Sequence, residues 1–175
     1  MGSHAPDATR DAAAVLEAVR RLVRFLRLAE ADAQAATGLS AAQLFILRQL
    51  ADQPASSLAE LAERTLTDPS SVSSVVDRLV RRGLVRRHRP RSDARRVELR
   101  LTAIGGRVVR TAPATPQESI AHGVSALPEG SRAEVVRSLE LLLQSIGADA
   151  MLPRMLFEDE PVKPRRSTSR ATASA

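Results

Sequence analysis

A mainly α-helical fold carrying a two-stranded β wing is predicted by three features of this 175-residue sequence. Apolar residues recur at helical spacing through most of the chain. One short stretch, from Leu84 to Leu101, switches to the alternating period of strands. The helix just before that switch has both of its ends written into its sequence, with one face apolar and the other polar.

Taken in order, residues 1–8 are expected to be flexible. Thr9 or Asp11 starts a long helix through about Ala36, with Val15, Val19, Leu22, Val23, Leu26 and Ala29 on one stripe. A first helix this long carries more apolar surface than a small winged domain can cover, so burial against a partner is expected. Gly38 breaks it. Ser40 and Gln43 form a capping-box pattern flanked by Leu39 and Leu44, and a helix from Ala41 to Asp52 follows, ended by Pro54. Ser57 and Glu60 repeat the pattern ahead of a short helix from Leu58 to Arg64, with Leu58 and Leu61 turned to the core.

In the next helix Val72, Val75, Val76, Leu79 and Val80 fall at i, i+3, i+4, i+7 and i+8, which makes one apolar stripe. Ser70, Ser74, Asp77, Arg78 and Arg81 take the opposite face. Asp68 is placed to cap this helix, Pro69 occupies the first helical position where its missing N–H costs nothing, and Gly83 closes the helix in a left-handed turn. Val97, Leu99 and Leu101 then alternate with Arg96, Glu98 and Arg100 as a half-buried strand does, with Leu84 to Arg89 as the partner strand. Pro90 to Arg95 is the turn between them. A short helix, a capped helix and then a basic hairpin make the layout of a winged helix-turn-helix.

After the hairpin, Thr102 caps a helix through about Thr111, which Pro113 and Pro116 interrupt. Thr115-Pro116 restarts it as far as about Leu127, and Pro128-Glu129-Gly130 makes a turn. A last helix from Ser131 to about Ile146 carries Val135, Leu139, Leu142 and Ile146 at helical spacing. In the tail, Met151, Leu152, Met155, Leu156 and Phe157 are apolar enough to dock, whereas Pro161 to Ala175 has the composition of a disordered segment.

From Asp68 to Thr102 the chain carries ten arginines (78, 81, 82, 86, 87, 89, 91, 95, 96 and 100) against four acids, Asp68, Asp77, Asp93 and Glu98. Such a density of positive charge fits a phosphate backbone. It is coupled to a capped helix with small polar residues at its exposed start, and a helix that enters a major groove needs small residues there to approach base edges. The candidate DNA-binding residues are therefore Ser70, Ser71, Ser73, Ser74, Arg78 and Arg81 on the helix and Arg86, Arg91, Arg95 and Arg96 on the wing, with Asp93 orienting the wing turn.

The motifs LAELAERT, DPSSVSSVVDRLVRRGLVRR, SDARR and LTAIG, between Leu58 and Gly106, resemble the DNA-binding core of the MarR family of bacterial transcription regulators. The resemblance covers about the central third of the chain. It implies a homodimer whose recognition helices enter successive major grooves while the wing tips reach flanking minor grooves. It also implies an Asp-x-Arg wing signature, matched by Asp93 and Arg95, and an effector pocket between the dimerisation helices and the winged domain. The expected organisation is a winged helix-turn-helix over residues 37–102, long N- and C-terminal dimerisation helices over 9–36 and 103–152, and a C-terminal tail over 153–175 that is disordered from about 161.

Composition narrows the function further. Hydrophobic residues at 43% suffice for a core, and a net charge of +6 suits a nucleic-acid partner. Aromatic content of 2%, with no Trp or Tyr, argues against the stacking platforms that read single strands, and leaves Phe25 or Phe45 as the residues able to stack on a bound ring. There is no Cys, which removes thiolate metal sites, thiol sensing and disulfides. His4, His88 and His122 show no metal spacing, and no nucleophile elbow or phosphate-binding glycine loop is present, so neither a cofactor nor an enzymatic activity is expected. No apolar run reaches membrane-spanning length, and the expected location is the cytoplasm.

The function these observations favour is a dimeric, sequence-specific double-stranded DNA-binding transcription regulator acting on an inverted-repeat operator. Repression and its relief by a small-molecule effector are implied by the resemblance alone. A nonspecific architectural DNA-binding protein and a winged-helix protein-interaction module are the alternatives. A modest preference over random duplex would mark the first, and the absence of salt-sensitive DNA binding the second.

Overall fold

The computed structural model of the chain describes residues 5–88 and 97–158; the wing tip over 89–96 and the stretch from 159 onward lie outside it. Among the described residues, seven helices and two strands follow one another: α1 (Ala5–Thr37), α2 (Ala41–Asp52), α3 (Leu58–Thr65), α4 (Pro69–Arg81), β1 (Val85–His88), β2 (Glu98–Leu101), α5 (Ala103–Thr111), α6 (Pro116–Ser125) and α7 (Glu129–Ser145). The fold is mainly α with a two-stranded wing, as the sequence predicts. Helix α1 begins at Ala5, four residues before the Thr9 start expected from the sequence, with Asp7 in its first turn complementing the positive end of the helix dipole.

The core forms around α2, which packs against α3, α4, α5 and β2, and against α1 and α6 on its other side. Leu39, Leu44, Ile46, Leu47, Leu61, Val72, Val75, Val76, Leu79, Val85 and Leu99 are all fully buried. Removing a side chain of this size from water stabilises the fold by about 1.5–3 kcal/mol, and together they fix α3, α4 and the wing as one body. Local signals set the boundaries. The Ser40–Gln43 capping box is complete, with Gln43 N donating to Ser40 Oγ at 3.3 Å and Ser40 N to Gln43 Oε1 at 3.2 Å. The second box is only half formed. Glu60 N donates to Ser57 Oγ at 3.0 Å, but the Glu60 carboxylate accepts from Ser56 N at 2.7 Å, one residue earlier than the pattern predicts.

In the wing, β1 and β2 pair antiparallel with Val85 opposite Leu101, Arg86 opposite Arg100, Arg87 opposite Leu99 and His88 opposite Glu98. A third, single-residue partner is not evident in the sequence. Leu99 N donates to Ala55 O at 2.7 Å and Ala55 N to Leu99 O at 3.2 Å, so the loop before α3 extends the small sheet. Gly105 lets α5 lie against the start of the wing, since a Cβ there would stand 2.2 Å from the carbonyl oxygen of Leu84.

The prolines do break the helix after the wing. The break is held by Arg48 of α2, whose Nη2 donates to the carbonyls of Ala112 at 2.8 Å and Pro113 at 2.7 Å while its Nη1 pairs with the Glu118 carboxylate. Glu118 also closes a capping box with Thr115 at the start of α6. Outside the core, α1 and α7 carry apolar rows that this chain leaves in water: Leu22 is 45% exposed, Val135 38% and Leu139 53%, and α7 has no buried residue.

Candidate nucleic-acid interface

Helix α4 is the centre of the site, and its ends are built as its sequence dictates. Asp68 Oδ1 accepts from Ser70 N at 2.9 Å and from Ser71 N at 3.2 Å, and the Ser70 hydroxyl also donates to it. The Ser70 hydroxyl, with the Ser71 amide behind it, holds the Asp68 carboxyl below its ordinary value, so the cap is charged at neutral pH. At the other end Arg82 is the C-cap and Gly83 takes φ +67°, a left-handed conformation that glycine adopts without strain. Between them Val72, Val75, Val76 and Leu79 are buried, which leaves the opposite face outward.

On that face Ser70 and Arg81 are exposed, and Ser73, Ser74 and Arg78 are half-buried. Ser71 departs from the expectation of a groove-facing hydroxyl. It is 2% exposed, and its Oγ donates to the Glu158 carboxylate and accepts from Met155 N at 3.3 Å. Position 71 lies on the margin between the apolar and polar faces, and the chain beyond α7 covers that margin. Arg78 is partly engaged by the same segment, its Nη1 donating to the carbonyl of Glu158 at 2.5 Å.

Beside α4, β1 and β2 present Arg86, Arg87 and Arg100 on their exposed positions. Arg100 Nε donates to Glu98 Oε2 at 2.8 Å, and Arg87 Nη2 to Asp77 Oδ1 at 2.5 Å, so these two brace the wing and join it to α4. Arg82 Nη1 donates to the carbonyl of Gly38 at 2.8 Å and anchors the far end of α4 to the α1–α2 turn. Sequence reasoning gave Arg82 and Arg87 no separate role, because an arginine run does not show which members meet acceptors on other elements. Arg91, Asp93, Arg95 and Arg96 lie outside the described residues.

No group of three or more His, Asp or Glu that could hold a metal ion exists among the described residues, and none of their helices is long and apolar enough to cross a membrane. A shallow cleft of about 620 Å³ lies where α1 passes the α5–α6 break, lined by Asp32, Ala35, Ala36, Thr111, Ala112 and Pro113. Phe25 and Phe45 do not line it.

A short bracing helix, a capped second helix with an outward polar face and a two-stranded wing beside it define a winged helix-turn-helix fold. Residues 37–96 match the sequence model of the MarR family. The transcriptional repressor MdtR of Bacillus subtilis is 37% identical over 68 residues, 39% of this chain and 44% of the repressor, so the match spans less than half of that relative. Among solved structures, Sco5413, a MarR family transcriptional regulator from Streptomyces coelicolor, is 25% identical with a TM-score of 0.51, over 79% of this chain and 96% of that one. A MepR-like protein crystallised with pseudoligands is 28% identical with a TM-score of 0.50, over 83% of this chain and 97% of that one.

Proposed function

We propose that this protein is a homodimeric, sequence-specific double-stranded DNA-binding transcription regulator of the repressor type. The observation that carries the reading is the outward face of α4: small hydroxyl side chains at its capped start, guanidinium groups behind them, and a basic two-stranded wing held beside it. Short side chains at the leading turn allow close approach to base edges, and arginines at the flanks suit phosphates. Ser70, Ser73, Ser74, Arg78 and Arg81 take the groove-facing role, with Arg86 on the wing strand and Arg91, Arg95 and Arg96 at the wing tip. Asp93 orients the wing turn.

Exposed apolar rows on α1 and α7 support the dimer, since single subunits rarely leave such contiguous surface in water. A two-fold protein reads a two-fold site, so the operator is an inverted repeat with half-sites about one helical turn apart. Repression rests on the MdtR relative, and a small-molecule effector on the pseudoligands bound to the MepR-like protein. The cleft beside Pro113 is where such a molecule would act on the α5–α6 break.

Selection of bound duplexes from a random pool tests the reading. One palindromic motif is expected. Recovery of no motif despite salt-sensitive binding would instead indicate an architectural protein, and absence of any duplex binding a protein-interaction module.

A further inference from the structure

The chain beyond α7 returns to the recognition helix. Asp68 N donates to the carbonyl of Pro153 at 3.1 Å, Met155 is 6% exposed in the same apolar cluster as Val72 and Val75, and Glu158 is 8% exposed. The Glu158 carboxylate accepts from the Ser71 hydroxyl in the first turn of α4, and the Glu158 carbonyl accepts from Arg78 two turns on. An anion beside the first turn of a helix, next to an arginine on the same helix, is the arrangement a backbone phosphate adopts at such a helix. Here the anion belongs to the protein itself. Phe157 holds φ +62° within this strap, a conformation that a bulky residue keeps only where its surroundings impose it and that is common in segments that switch.

We propose that residues 153–158 form an autoinhibitory strap, in which Glu158 stands in for a DNA phosphate at the margin of α4 and must leave before Ser71 and Arg78 engage a duplex. The inference rests on the DNA-binding reading given above. Strap closure then lowers apparent DNA affinity by the fraction of molecules that are open, so any event that undocks Met155 raises affinity without altering the recognition helix.

The test uses the full-length chain and a labelled mixed-sequence duplex at about 50 mM salt. Met155→Asp undocks the strap by placing a charge in an apolar slot, and Glu158→Gln removes the carboxylate while keeping its shape. Met155→Asp is expected to tighten binding about tenfold, as for a strap closed about nine-tenths of the time, and Glu158→Gln by a smaller factor in the same direction. Hydrogen exchange on the unsubstituted protein gives a second readout that does not depend on either variant folding: the amides of Met155 and Glu158 should lose protection when duplex is added. Unchanged or weaker binding by cooperatively melting variants, or retained protection at those amides in the complex, overturns the strap while leaving DNA binding intact. If the unsubstituted protein and both variants all lack salt-sensitive duplex binding, the DNA-binding reading fails and the strap's role falls with it.

Discussion

Arg87 Nη2 stands 2.5 Å from Asp77 Oδ1, a contact that ties the first strand of the wing to the middle of α4. Both side chains are about half exposed, so the pair contributes under about 1 kcal/mol to stability. Its consequence is electrostatic, since it links the wing strand to α4 and places a carboxylate among the arginines of the proposed DNA-binding face. Asp77→Asn should leave the melting temperature nearly unchanged and strengthen binding to any duplex. The plot of log affinity against log salt should steepen by about one, as Arg87 becomes available to displace a counterion. An unchanged slope would show that Arg87 does not reach the backbone.

The Asp68 cap has a pH signature. Hydrogen bonds from Ser70 and Ser71 lower its folded pKa beneath the ordinary 3.8, so its stabilisation is complete above that value and is lost as pH falls through it toward the folded pKa. Glu60, lowered by the Ser56 hydroxyl and amide, acts with the same sign. Asp68→Ala should therefore lower the melting temperature clearly at pH 7 and much less at about pH 3. Equal losses at both would mean that the cap acts without its charge.

At Gly105 the expectation is steric. A methyl group there meets the Leu84 carbonyl at 2.2 Å, and α5 must move away from the wing to admit it. Gly105→Ala should destabilise the fold by about 1–3 kcal/mol in denaturant unfolding despite alanine's higher helix propensity. A stabilised variant would contradict the close packing of α5 on the Leu84 backbone.

The exposed rows of α1 and α7 predict a dimer at micromolar concentration, and Leu139→Glu, at a position 53% exposed in the single chain, should convert it to a monomer that stays folded. Light scattering that gives a monomer mass for the unsubstituted protein would remove the dimer from the proposed function.

Two wing arginines should behave differently. Arg95 follows Asp93 by two residues in the segment the sequence predicts as the wing turn, and Arg95→Ala should weaken binding by about 1–3 kcal/mol and flatten the preference for A·T-rich operator flanks, where a narrow minor groove concentrates negative potential. Arg100 is braced by Glu98 at 2.7 Å, and Arg100→Ala should weaken all duplexes alike. Equal, sequence-independent losses from the two would assign Arg95 to bracing its own turn.

The sequence by itself determined most of the elements and their caps; the exceptions are Glu129-Gly130, expected in a turn but opening α7, and the half-formed Ser57–Glu60 box. The bounds of α2, the Ser40–Gln43 box, the Asp68 cap, the closing Gly83, the Thr102 cap of α5 and the break near Pro113 all follow from chemistry between residues a few positions apart. The tertiary structure alone decided which margin residues turn inward and which charges are engaged. Ser71 adjoins the apolar stripe and its short polar side chain suits either environment; its burial depends on Glu158, 87 positions away. In the same way, Arg82 meets the Gly38 carbonyl 44 positions distant, and Arg48 holds Ala112 and Pro113 at 64 and 65. Periodicity specifies a helix face through a repeat of 3.6 residues, whereas an acceptor on another element is specified only by the packing that brings the two together.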